Sequence, residues 1–273
     1  MKKLLTLVAA LLTFSVTAQN LNTPAPSPTQ TIKQDFALSN IEIKYSRPAM
    51  KGRAIFGDLV PFDKVWRTGA NSPTAVTFGE DVTVGGVAVK AGTYNMVTMP
   101  GRSSWTVKLL KTDMNAFNYK EGSDVASFSV DVQQLPMSIE NFTILFDSQT
   151  DNTVDIGMMW DNVYVAIPVK ADVDAKVMGQ IENVMNKDNK PYFAAASYYF
   201  ENGKDNAKAL EWAKKAVDAQ PEAYWVRHLL AKVQAKSGMK KDAIATAKAS
   251  MELAQKAGNM DYVRLNEKLL KTL

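Results

Sequence analysis

The feature that most limits what this chain can fold into is a change of hydrophobic period near residue 170. From about 32 to 169 apolar and polar residues alternate in short runs rich in Val, Ile, Thr, Phe and Tyr, broken by Gly, Pro, Asn and Asp. Period two puts successive side chains on opposite faces, so these runs predict half-buried strands. IEIKY is the clearest case, with Ile41, Ile43 and Tyr45 on one face and Glu42 and Lys44 on the other. TAVTF, TYNMVTM, SWTVKLL, SFSVDVQ, NFTILF and TVDIGMMW-DN-VYVAIPV follow the same rule, and VTV-GG-VAV predicts a hairpin turning at Gly85-Gly86. Strands at this spacing without intervening helices predict an antiparallel β-sandwich or a jelly-roll-like domain. Beyond 170 the period becomes helical. VDAKVMGQIENVM places Val173, Val177, Ile181 and Met185 on one stripe, and Ala and Lys dominate from there to the end.

The helical part also repeats itself every 34 residues: Ser197 aligns with Ala231, Ala209 with Ala243, Ala213 with Ala247, and Ala216 with Ser250. Period and small residues together resemble tetratricopeptide helix-turn-helix units, with Pro221 closing a second helix and Gly238 in an inter-helix turn. Two such units need capping, and the preceding helix and MDYVRLNEKLL are the candidates. The expected fold is therefore a β domain over 32–169 followed by an all-α, tetratricopeptide-like region over 170–273.

Ahead of both, Lys2 and Lys3 precede the apolar run LLTLVAALLTFSV and a small-residue site at Val16-Thr17-Ala18. That run falls short of the roughly 20 residues that span a bilayer. It predicts a secretory signal peptide over 1–18, cleaved after Ala18, and a periplasmic or secreted protein with no membrane span after cleavage. NTPAPSPTQ, with three prolines and no charge, predicts a Pro-rich linker over 19–31. There is no cysteine, which removes disulfides, thiolate metal sites and cysteine nucleophiles. One histidine, His228, leaves no multi-histidine cage. Charge divides unevenly, net −3 over 31–169 and net +5 over 170–273, with no basic block longer than a Lys-Lys pair. Phosphate backbones are held by concentrated positive charge, so nucleic acid is not expected as a partner.

The densest unusual stretch is YSRPAMKGRAIFGDLVPFDKVWRTGANSPTAVTFG at 45–79, followed by AGTY at 91–94. With the later Trp160 strand, YSRP, KGR, FG-LVP, VWRTGAN and AGTY resemble, in order, the signature of the domain of unknown function 2911 family, exported proteins of Bacteroidetes-type bacteria. The resemblance runs from about Ser39 to Val169. It implies export and no assigned activity. Read chemically, Tyr45, Arg47, Lys51, Arg53, Trp66, Arg67 and Asn71 are candidates for a site that takes an anionic or carbohydrate ligand, because guanidinium groups and aromatic faces recognise both. The competing reading is structural, with arginines pairing Asp58 and Asp63 to pin loops and Trp66 filling the core.

The expected role is non-catalytic ligand or protein binding, or scaffolding, in the cell envelope. The alternative is a carbohydrate-active or other hydrolytic enzyme using carboxylates near Asp58 and Asp63, with Glu80 and Asp81 in the same region. No G-x-S-x-G, H-E-x-x-H or phosphate-loop pattern is present, no catalytic residue is assigned and no cofactor is expected. DSQTDNTVD, with Asp147, Asp151, Asn152 and Asp155, lacks the order of a calcium loop and predicts an ordinary turn, so no metal is expected. On the helical tail, Trp225, His228, Lys232 and Lys236 advance by three or four residues and, with Tyr198 of the first repeat on the same side, are candidates for a groove that holds an envelope protein or peptide partner. Packing and solvation account for the same residues equally well.

Overall fold

The computed structural model describes residues 23–273, so the signal-peptide expectation lies outside the described residues. The chain divides into two units between Asp172 and Val173. The first is all antiparallel β: β1 (Thr29–Phe36), β2 (Ser39–Ser46), β3 (Thr74–Phe78), β4 (Val82–Val84), β5 (Val87–Val89), β6 (Gly92–Pro100), β7 (Ser104–Leu110), β8 (Ala126–Asp147) and β9 (Thr153–Lys170). The second holds six helices: α1 (Asp174–Met185), α2 (Tyr192–Glu201), α3 (Asn206–Ala219), α4 (Tyr224–Lys236), α5 (Lys240–Lys256) and α6 (Met260–Thr272). An antiparallel β domain followed by an all-α domain is thus the observed fold class.

The strands lie in the order β1-β2-β3-β6-β7-β8-β9-β4-β5. The β4–β5 hairpin turns at Gly85 and Gly86, with φ of 55° and 85°, the left-handed pair that a two-residue turn needs. Two features differ from the sequence expectation. Strand β1 starts at Thr29, so the last residues of the expected linker pair with β2, Thr29 against Ser46 and Gln30 against Tyr45. Secondly, SFSVDVQ and NFTILF are one strand, as are the two halves around Asp161-Asn162. Asp161 takes φ of 51° within β9, and the β8–β9 register shifts between Gln134 and Ile139 and again between Ile139 and Thr143. The extra residues are absorbed as a bulge that does not reverse the chain.

These long, bulged strands let the sheet fold over on itself. The first part of β8 pairs with β7 and the rest with β9. The segment after β2 returns to β8, with Met50 N–H donating to Glu140 O and Phe142 N–H to Pro48 O, 2.8 and 2.9 Å. Alternating inward residues of β2, β3, β6, β7, β8 and β9 then share one core, including Ile41, Ile43, Val76, Met96, Val107 and Ile156. At one end of it Phe56, Trp66, Trp105, Phe142 and Trp160 form an aromatic cluster, with Trp66 stacked on Trp160 at 5.9 Å and 17°.

In the helical unit each helix from α2 onward packs on the next, and α4 also touches α2 and α6. Ala209, Ala213, Ala216, Ala243, Ala247 and Ser250, all in the 34-residue alignment, are buried, since small side chains let helix axes approach closely. Ala207 is exposed at the start of α3, where Asp205 caps the helix by accepting from the N–H groups of Ala207 and Lys208.

Candidate functional site

The loop from Arg47 to Pro73 is held in an unusual backbone conformation. Lys51, Asp63, Thr68 and Asn71 all have φ between 50° and 58°. Left-handed backbone is costly for a β-branched residue, and Thr68 keeps it because its surroundings are bonded: its hydroxyl donates to Thr98 Oγ1 and its carbonyl accepts from Thr74 Oγ1. Gly69, at φ of 142°, lies so close to β2 that a Cβ there would stand 2.9 Å from Ser46 O. Strain of this kind concentrates where a fold must aim side chains.

The fold brings together four of the seven candidate residues. Arg53, Trp66, Arg67 and Asn71 line one cavity of about 370 Å³, whose apolar wall includes Leu59 and Trp160. The other three are placed elsewhere, and each for a physical reason. Tyr45 is buried at 1% exposure, where its hydroxyl donates to Gln30 Oε1 and accepts from Ile144 N–H. Burial raises its pKa. Arg47 is a structural clamp, its Nε and Nη2 donating to Phe142 O and Thr143 Oγ1 at 3.2 and 2.8 Å, so it ties the end of β2 to β8. Lys51 is exposed at the tip of a turn, its backbone N–H donating to Glu140 Oε1. The acceptors of Arg47 are thus the Phe142 carbonyl and the Thr143 hydroxyl, not Asp58 or Asp63.

Arg53 and Arg67 keep spare donors. Arg53 gives Nε and Nη2 to Met50 O and Ala49 O, 2.9 and 2.6 Å, and Arg67 gives Nη1 to Asn71 O at 3.2 Å. Among the described residues neither forms an ion pair. The guanidinium of Arg67 also lies over Phe117, 4.5 Å from its centroid, a cation–π contact. Phe117 is 78% exposed and was not singled out from sequence; an aromatic on a loop 50 residues away carries no local signal of this contact. Asn71 Nδ2 donates to Ser27 O, which brings the amino-terminal segment to the cavity rim.

The carboxylates do not converge here. Asp58 and Asp63 are exposed on turns and neither lines this cavity. Glu80 accepts from Leu38 N–H, and Asp81 pairs with Lys90 at 2.7 Å. In the 147–155 turn, Asp147 accepts from Ser148 N–H and Thr150 bonds Thr153. No group of three or more His, Asp or Glu placed to hold a metal occurs among the described residues.

The helical candidates divide. Tyr198 donates to Asp174, itself paired with Lys204 at 2.8 Å, and this bond ties α2 to α1. His228 bonds Asn266 in α6 through Nδ1 at 2.8 Å and packs edge-on to Tyr262. Trp225 remains 38% exposed. Lys232 and Lys236 both lie over the Phe200 ring, at 4.9 and 5.2 Å from its centroid. Lys232 and Lys236 thus share one ring, whereas His228 is turned toward α6.

The model of the family described as protein of unknown function, DUF2911, matches residues 27–169, just over half of the chain. No curated protein and no solved structure matches.

Proposed function

We propose, for a chain that belongs to the DUF2911 family of proteins of unknown function over residues 27–169, that the β domain binds a small anionic ligand without transforming it. The observation that carries this reading is the meeting of Arg53 and Arg67 at one cavity, each with spare donors and no carboxylate partner among the described residues. A carboxylate entering between them would form charge-assisted hydrogen bonds, while the Trp66 and Trp160 wall takes an apolar or ring-shaped body. Acidic sugars combine both properties. The leader-like run at residues 4–16 fits a protein that meets such ligands in the cell envelope.

Titrating the purified chain with D-glucuronate, an acidic dipeptide and inorganic phosphate, followed by calorimetry and thermal shift, tests this. A ligand at 100 times its dissociation constant should stabilise the fold by about 2.7 kcal/mol. Arg53→Ala and Arg67→Ala should each weaken binding roughly tenfold or more, as loss of a charged hydrogen bond does. Equal affinity in both folded variants, or no binding by any of the three probes, would overturn the reading.

A second surface rests on Lys232 and Lys236. Two ammonium groups over one ring, with no carboxylate partner among the described residues, suit an acidic peptide segment. A Lys232→Glu/Lys236→Glu variant should lose binding of a Glu-rich peptide and keep its helicity; retained binding would sink the idea.

A further inference from the structure

A second cavity of the β domain, about 270 Å³, is lined by Ala54 and Ile55, which follow Arg53 in the chain. Its aromatic part comes from Phe56 and Trp105, 5.2 Å apart, and from Phe62, on whose face the guanidinium of Arg102 lies at 4.5 Å. Its polar part comes from the bulge: Gln134 sits at the first register shift of β8, and Asp161, with its left-handed backbone, stands beside Asn162 on β9. Bulges re-aim side chains that a regular ladder would alternate between faces, and here Gln134, Asp161 and Asn162 reach one cavity. Asp161 Oδ1 accepts from Ser138 Oγ at 3.0 Å. Its second oxygen, the Gln134 and Asn162 amides and the Arg102 guanidinium make no hydrogen bond or ion pair among the described residues. The Trp105 indole, 1% exposed, likewise has no acceptor for its Nε1–H.

Charge narrows the ligand class. Asp161 opposes an anion and Arg102 opposes a cation, so a neutral ligand is favoured. Carboxylate, amide and guanidinium side chains are planar groups that pair with adjacent hydroxyls, and an aromatic face accepts the C–H side of a ring. The volume is just below the roughly 300 Å³ at which drug-sized sites begin, enough for one small ring. We propose that this cavity binds a single neutral sugar ring, at a site separate from the one between Arg53 and Arg67.

The test is a titration of the ¹⁵N-labelled full chain with D-glucose, D-galactose, D-mannose and N-acetyl-D-glucosamine, reading the Trp105 indole resonance, assigned through Trp105→Phe. At least one sugar should shift that resonance saturably. Asp161→Asn and Arg102→Ala should each weaken that sugar roughly tenfold. Asparagine tolerates the left-handed backbone of position 161, and Arg102 is exposed, so both variants should fold. The proposal is overturned if no sugar moves the resonance, or if one does and both variants, shown folded by their spectra, bind it as the parent does.

Discussion

Trp160→Ala should lower the melting temperature of the β domain by roughly 10 °C or more. Trp160 is 1% exposed and stacks on Trp66, meets Phe56 edge-on at 6.5 Å and lies against Phe142 at 5.9 Å. Its Nε1–H donates to Glu140 O, 3.1 Å away, where the segment after β2 returns to β8. Truncation of a buried tryptophan to alanine costs about 3–5 kcal/mol, because the transfer energy is lost and the neighbours only partly refill the space. For a domain near 150 residues each kcal/mol moves the midpoint by about 2–4 °C. Trp225→Ala, at an exposed position, is the control and should change stability by less than about 1 kcal/mol. Near-UV circular dichroism follows the melt through the coupled indoles; a fall of under about 3 °C would mean that the aromatic cluster does not close the fold as described.

Asn266→Ala should destabilise the helical unit by about 3 kcal/mol. Asn266 is fully buried. Its Oδ1 accepts from His228 Nδ1–H, while its Nδ2 donates to Ser250 Oγ and Tyr262 O, at 2.9 and 2.8 Å. Ser250 Oγ in turn donates to Tyr224 O, so one amide joins α4, α5 and α6. Alanine would leave the half-buried His228 donor and its neighbour Ser250 without their amide partner, and each stranded group costs about 1–3 kcal/mol. Replacing both partners, His228→Phe with Asn266→Leu, should cost far less than the two single losses summed, since no buried donor is then left over. Amide exchange in α4 and α6 reads the effect locally.

The same network sets a pH dependence. Burial lowers the His228 pKa from 6.5 and the nearby Lys232 charge adds to this, against the opposing hydrogen bond to Asn266. Unfolded chain therefore takes up a proton at higher pH than the folded unit does. The contribution of His228 to stability is fully present above about 6.5 and is lost as pH falls toward the folded pKa. Exchange protection of α6 should drop between neutral and mildly acidic pH, and His228→Gln should flatten that drop; an unchanged profile in the variant would assign it to other groups.

How far the candidate site could be read from sequence differs residue by residue. That Tyr45, Arg47, Lys51, Arg53, Trp66, Arg67 and Asn71 crowd into one passage is legible in the sequence. Four of the seven meet, and the sequence could not say which four. Arg47 and Arg53 are six residues apart and chemically identical, yet one clamps β8 and the other faces a cavity. The difference is made by Phe142 and Thr143, about a hundred residues on, which no local pattern connects to Arg47. The sugar-ring cavity was missed altogether, since Asp161-Asn162 carries the composition of a turn and only pairing with β8 converts it to a bulge.

Period two before residue 170 and the helical period after it were decided by the sequence alone. Both follow from where each residue's own side chain points relative to its neighbours. The buried Ala209, Ala213, Ala243 and Ala247 follow in the same way from a repeat visible without coordinates. Which arginines keep spare donors, how β8 and β9 run unbroken through their register shifts, and where aromatic rings leave a cavity were decided only by the tertiary structure. Those outcomes depend on partners far away in the chain, and a side chain's chemistry does not specify which distant backbone atom will satisfy it.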